Sequence, residues 1–109
     1  MTIELGPSDA GTSRSVHVGD VITVRLPENP TTGYRWQSDA DDVRLKVVDD
    51  RFEGADVPRG TGGHRVLVIE AVKAGSARLH LAMRRSWESG APPNEEFTVE
   101  LEVQPHPPG

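Results

Sequence analysis

At 109 residues the chain has the length of one domain, enough to bury a core without a covalent staple. It contains no cysteine, which excludes a disulfide framework, a Cys-based zinc site and a thiol nucleophile. A formal net charge of −5, with arginines scattered rather than gathered into one basic run, argues against nucleic acid as a partner.

No stretch approaches the roughly 20 apolar residues that cross a bilayer, so no membrane partner is expected. The opening Met1-Thr2-Ile3-Glu4-Leu5-Gly6-Pro7 has neither the basic start nor the apolar run of a secretory signal. The expected location is therefore cytoplasmic as written, and secreted if an upstream leader was removed.

Residues 6–11, with Gly6, Pro7 and Gly11, form a turn or loop. Residues 15–18 alternate weakly, and Gly19-Asp20 then signals a tight turn. Residues 21–26 predict a strand with Ile22, Val24 and Leu26 on one face, and Thr23 and Arg25 on the other. After an interruption, residues 34–38 alternate again, with Tyr34 and Trp36 sharing a face. A large ring in mid-strand predicts a core position for Trp36.

Residues 43–47 predict the next strand, followed by Asp49-Asp50 and a short Arg51-Phe52-Glu53 segment. Residues 54–63 then make an irregular stretch of ten, long for a hairpin connection. Residues 64–72 predict the most apolar strand. Leu67, Ile69 and Ala71 lie on one face and Val66, Val68 and Val72 on the other, so period alone does not choose the buried side. A turn at 73–76 leads to a strand over 77–83 with Leu79, Leu81 and Met83 inward and His80 outward. Residues 89–94 are another Gly/Pro loop. Residues 97–103 alternate most clearly, with Phe97, Val99, Leu101 and Val103 inward. One domain over 1–104 is expected, with residues 105–109 a disordered tail.

No amphipathic helix is evident. About seven short, turn-punctuated strands predict an all-β fold, an immunoglobulin-like antiparallel β-sandwich without a disulfide. No catalytic constellation emerges, and a non-enzymatic protein is expected. His17, His64, His80 and His106 lack ligand spacing, so no metal is expected, and nothing calls for another cofactor. Gly60-Thr61-Gly62-Gly63 lacks the Lys and following helix of a phosphate-cradling loop.

Three connections carry unusual residues. Between the strands at 21–26 and 34–38 stands Asn29-Pro30-Thr31-Thr32-Gly33-Tyr34. Pro30 fixes its own φ, Gly33 admits a positive one, and the threonines between them are stiff and small. A Pro/Gly segment also has an ordinary reading as a turn, and these six residues alone leave both readings open. The other two connections carry Gly60-Thr61-Gly62-Gly63 and Arg85-Ser86-Trp87. Connections in an antiparallel sandwich alternate between its two ends. All three therefore fall at one pole, which suggests a binding edge. Trp87, just beyond its strand beside a Gly/Pro loop, is expected to be a contact residue.

At these three loops the sequence resembles the chagasin family of cysteine-peptidase inhibitors, over about residues 16–103. Asn29-Pro30-Thr31-Thr32-Gly33-Tyr34, with Trp36 after it, matches the family's first inhibitory loop. Gly60-Thr61-Gly62-Gly63 matches its Gly-rich second loop, and Arg85-Ser86-Trp87 corresponds to the Arg-Pro-Trp of its third. Ser86 stands where the family typically has proline. The resemblance implies a monomeric, reversible, tight-binding inhibitor of papain-like cysteine peptidases. Asn29, Pro30, Thr31, Thr32 and Gly33 would enter the active-site cleft, with Thr31 and Thr32 closest to the nucleophile. Gly60, Thr61, Gly62 and Gly63 would run along one side, and Arg85 with Trp87 would pack on the other. The alternative is a sandwich module that uses the same pole to bind a carbohydrate or a surface protein. Such modules favour exposed aromatics in a row, and this chain has only five aromatic residues.

Overall fold

A computed structural model describes residues 2–28, 33–38, 43–54, 63–85 and 95–106. Eight strands build two facing four-stranded sheets: β1 (Thr2–Leu5), β2 (Ser13–His17), β3 (Val21–Glu28), β4 (Tyr34–Ser38), β5 (Leu45–Glu53), β6 (Gly63–Ala71), β7 (Gly75–Arg85) and β8 (Glu95–Gln104). One sheet has the order β1-β3-β6-β5, the other β2-β8-β7-β4. The only helical turn among the described residues is a 3₁₀ turn, Pro7–Asp9. There Pro7 supplies the preset φ, and the Asp9 carboxylate accepts from the Gly6 N–H at 2.8 Å. The all-β sandwich expected from the alternation is the fold observed.

The strictly antiparallel arrangement is corrected. β1 runs parallel to β3 (Thr2↔Val21 to Leu5↔Val24), and β2 parallel to β8 (Ser13↔Glu100 to His17↔Gln104). Parallel neighbours need a crossover between them. Here the crossover is a strand of the opposite sheet: the chain leaves β1, crosses to β2 through Pro7–Asp9, and returns to lay β3 beside β1. β1 is the strand beyond the seven expected. Its signal was short, four residues with only Leu5 fully buried.

The return from β2 to β3 is a compact turn tied to both sheets. Gly19 takes φ 97°, the left-handed region where a side chain is strained. Its N–H donates to the Ala71 carbonyl at 2.8 Å, and the Val18 N–H donates to Gln104 at 2.9 Å. Asp20 closes the turn by accepting from the His17 N–H at 2.9 Å. That backbone bond holds the Asp20 carboxyl below its ordinary value of 3.8. Pro105 and His106 follow β8 at this pole, with the His106 ring beside Gly19. The rest of the expected tail lies outside the described residues.

The core follows the period-2 pattern. Ile22, Val24 and Leu26 face Leu79, Leu81, Met83, Phe97, Val99, Leu101 and Val103 across the interlayer space, with Trp36 among them. In β6, Leu67, Ile69 and Ala71 are the core face. Val66 is also fully buried, although it points to the outer face. Its cross-strand neighbours are Arg25 and Arg51. Both guanidiniums pair with Glu53, and Arg51 also with Asp49, so the aliphatic stems run over Val66 while the charged ends stay wet.

β5 departs from expectation at both ends. Val43 and Arg44 lie in a turn, and the strand runs on from Leu45 through Asp49 and Asp50 to Glu53. A bulge between Val47 and Asp49 permits this. One extra residue resets the alternation and hides a single strand behind two apparent pieces. β3, β7 and β8 likewise extend past their predicted ends, to Glu28, Arg85 and Gln104.

Two outcomes check this architecture. Asp20→Asn should flatten the acid limb of stability. A carboxyl with a depressed folded pKa stabilises above its unfolded value, near 3.8, and that share is lost as pH falls through the folded value. Urea midpoints of parent and variant should therefore differ at neutral pH and converge as pH falls through the lowered folded value. Gly63→Ala should destabilise by about 1–3 kcal/mol in urea titrations. Its Cβ would collide with the Glu53 carbonyl oxygen and sit 2.8 Å from the Gly54 Cα, both backbone atoms that cannot step aside.

Candidate functional site

The three unusual connections leave the sandwich from a common end. β3 ends at Glu28, which is paired with Gly63 at the start of β6, and Glu53 at the end of β5 is paired with His64. In the other sheet, Tyr34 at the start of β4 is paired with Arg85 at the end of β7, while Met83 is paired with Glu95 at the start of β8. The two sheet ends are joined directly. The Trp36 N–H donates to Glu28 Oε1 at 2.7 Å, and the Trp36 indole Nε1–H donates to the Pro27 carbonyl at 2.9 Å. The connection at 29–32 therefore spans from one sheet to the other. It is flanked by the β5–β6 connection from the first sheet and the β7–β8 connection from the second.

Glu28 is the exceptional residue of this pole. Its side chain is 1 % exposed, and Arg65, at 13 %, bonds it through Nη2 at 2.7 Å and Nε at 3.2 Å. Arg65 also reaches Asp50 at 3.1 Å, and its guanidinium lies 5.9 Å above the Phe52 ring. The carboxylate thus accepts from a main-chain N–H of one sheet and from an arginine of its own sheet. Such a group is tolerated inside because both oxygens are paired. Sequence reading missed Glu28 and Arg65. Yet a signal was present: Glu28 continues the buried phase of Ile22, Val24 and Leu26, and Arg65 continues that of Leu67, Ile69 and Ala71. Opposite charges on the inward phase of adjacent strands predict a buried pair.

Of the thirteen candidate binding residues, four are described. Gly33 has φ 81°, the positive value its place before β4 suggested. Tyr34 is half-buried against the core, and Arg85 stacks over its ring at 4.3 Å, so the first and third motifs touch through these two residues. Gly63 is the opening residue of β6, where close backbone approach from Glu53 and Gly54 leaves room only for a hydrogen. Asn29, Pro30, Thr31, Thr32, Gly60, Thr61, Gly62, Ser86 and Trp87 lie outside the described residues. Among the described residues there is no row of exposed aromatics. Trp36 and Phe97 are buried, Tyr34 lies beneath Arg85, and Phe52 lies beneath Arg65.

Residues 15–101 match the family described as Chagasin family peptidase inhibitor I42. The chain is 28% identical over 99 residues to Chagasin from Trypanosoma cruzi, covering 85% of this chain and 90% of that protein. Among solved structures it is similar to the Leishmania mexicana ICP, at 30% identity and TM-score 0.67, with 88% of this chain and 89% of that one covered. A cysteine protease inhibitor from Entamoeba histolytica superposes with TM-score 0.86 over 94% of this chain and 96% of that one. At 22% identity, this is a likeness of fold.

The buried pair makes a sharp energetic contrast. Arg65→Met should cost about 3–5 kcal/mol in chemical denaturation, because it leaves the Glu28 carboxylate buried without its cation. Removing Arg78, which like its partner Glu100 is exposed to solvent, should cost no more than about 1 kcal/mol.

Proposed function

The chain belongs to the chagasin family of peptidase inhibitors, and from that premise we propose that it is a reversible, tight-binding inhibitor of papain-like cysteine peptidases that blocks the active-site cleft with one pole of the sandwich. The observation that carries this reading is the common origin of the three connections. The cross-sheet connection starts at the end of β3, beside the start of β6, and rejoins at the start of β4, beside the end of β7. A central tip with two lateral supports fits a groove too narrow to admit a folded surface.

Each motif contributes a physical element to such a block. Thr31 and Thr32 are small enough to enter a cleft, and Pro30 limits the conformations lost on docking. Gly60 and Gly62 allow main chain to approach main chain, where hydrogen bonds can form across the interface. Trp87 supplies a broad apolar face for the rim, and Arg85 a cation already seated on Tyr34. Peptide bonds held out of near-attack geometry react slowly, so an occluding segment of this kind resists the enzyme it enters. An interface of standard size, about 1,600 Å² in total, is consistent with nanomolar or tighter binding.

The test is direct. Purified protein is titrated into papain and several cathepsin-type enzymes while a fluorogenic substrate is followed, and recovery of activity on dilution reports reversibility. Inhibition below micromolar concentration, reversed on dilution, is expected; no inhibition of any enzyme at micromolar protein overturns the proposal. Trp87→Ala should weaken inhibition by about 2 kcal/mol, close to thirtyfold in the inhibition constant. An unchanged constant removes Trp87 from the interface.

A further inference from the structure

The ties between the sheets at this pole lie on either side of the central segment. Glu28 immediately precedes it, and Gly33, Tyr34 and Trp36 follow it. The segment's exit from one sheet and its entry into the other are therefore joined by two hydrogen bonds through Trp36, one from its backbone N–H to Glu28 and one from its indole N–H to Pro27. Neither bond lies in a strand ladder; both cross the gap between layers. We propose that Glu28 and Trp36 are positioning residues for peptidase inhibition: the clamp between them fixes how far apart, and at what angle, the two anchors of residues 29–32 are held. This deepens the inhibitory reading given above and rests on it.

Three observations favour this role over ordinary cohesion. First, an apolar pair at the same place would hold the layers together as well, since a buried ion pair gains little over well-packed hydrophobic residues. Directional acceptance at 2.7 Å from one named main-chain N–H adds geometry that apolar contact lacks. Second, Arg65 orients the carboxylate. Its Nε and Nη2 engage Oε2 at 3.2 and 2.7 Å, while its Nη1 is held by Asp50 at 3.1 Å. Oε1 is thereby turned toward the opposite sheet, with only a long 3.3 Å contact to Arg65 Nε. Third, Arg65 lies two residues after Gly63, so the same side chain ties the base of the Gly-rich connection to the base of the central one. A displacement of the Glu28 carboxylate would move both anchors relative to β4.

The experiment compares parent, Glu28→Gln and Trp36→Phe at a temperature where thermal melts show each to be folded. Glu28→Gln keeps the side-chain shape and removes the charge that Arg65 holds. Trp36→Phe removes the indole donor to Pro27 along with part of the buried ring, and serves if the first variant does not fold. Two readouts are taken: the inhibition constant and dissociation rate against papain, and the backbone amide shifts of residues 29 and 31–36 in the free protein. The expected result is a rise of roughly tenfold or more in the inhibition constant, carried by faster dissociation. Shift changes should spread through residues 29–34. A merely structural pair would lower the melting temperature and leave the inhibition constant of the folded variant alone. An inhibition constant within twofold of the parent's overturns the proposal, as do shift changes confined to the substituted residue and its direct partners. If the parent itself inhibits no papain-like enzyme, the inhibitory reading falls with it, and the positioning claim as a claim about inhibition falls too. The shifts then report only whether the clamp sets the segment.

Discussion

The Glu28 carboxylate is where the two layers of this sandwich are joined by directed hydrogen bonds at the candidate pole. Most of the contact between the sheets is aliphatic: Ile22, Val24 and Leu26 against Leu79, Leu81 and Val99, in a core packed on both sides. Such contact is strong in sum but tolerant of small slides and rotations, because dispersion and burial have little directional content. A charged acceptor bonded at 2.7 Å to a particular N–H has a narrow geometric optimum. Enclosing it is costly, and the cost is offset only while Arg65 and Trp36 keep their places. Cohesion comes from the core; alignment comes from Glu28.

The topology explains why alignment matters at this end more than at the other. Far from the candidate site, the turns by which the chain passes between sheets are held by main-chain bonds to each sheet in turn, Gly19 to Ala71 and Val72 to Arg44 in the first and Val18 to Gln104 in the second. With the Asp20 carboxylate on the His17 N–H, those bonds anchor the β2–β3 turn to both sheets. Toward the candidate pole the chain crosses twice, through Pro7–Asp9 and through residues 29–32, while the β5–β6 and β7–β8 connections each join neighbours within one sheet. A hairpin moves with its own sheet. Any shift between layers would therefore carry the Gly-rich connection away from the Arg85 side, and the three motifs would cease to act together. The ties through Trp36 join the two anchors of residues 29–32, and the Arg85–Tyr34 stack adds a contact within the second sheet.

Much of this was legible from alternation alone. Residues 21–26, 77–83 and 97–103 declared both strand and face, and Trp36 its burial, because a period of two has one consistent solution when one side is apolar. What was hidden failed for identifiable reasons. β1 offered four residues and one buried side chain, too little pattern to separate from a loop. β5 was cut in two by the bulge after Val47, which shifts the phase and mimics a break. Val66 is buried on the outer phase, between Arg25 and Arg51 on the neighbouring strands, where alternation alone predicts exposure. Glu28 and Arg65 went unremarked because each, taken singly, reads as a strand-end charge; only their register across β3 and β6 makes them a pair. The candidate motifs were legible as residue types in sequence, whereas their shared origin required the order of strands in each sheet. Gly63 was read as a contact glycine, and the close approach of the β5 backbone gives it a packing reason as well.

An open sandwich has four edge strands, here β1, β5, β2 and β4, and each edge is a template for unwanted pairing. A binder that works through its pole gains nothing from its edges and is harmed if they recruit strands. β1 is only four residues long. β5 is longer, but it carries Lys46, Asp49, Asp50, Arg51 and Glu53, and its bulge twists the ladder away from a flat docking surface. β2 presents Ser13, Arg14, Ser15 and His17 to solvent, leaving Val16 as its one buried residue. β4 is capped at its outer face by Arg35 and Gln37, both exposed. Charge on the flanks discourages association along the sheets, which is what the proposed use of one pole for recognition requires of the edges.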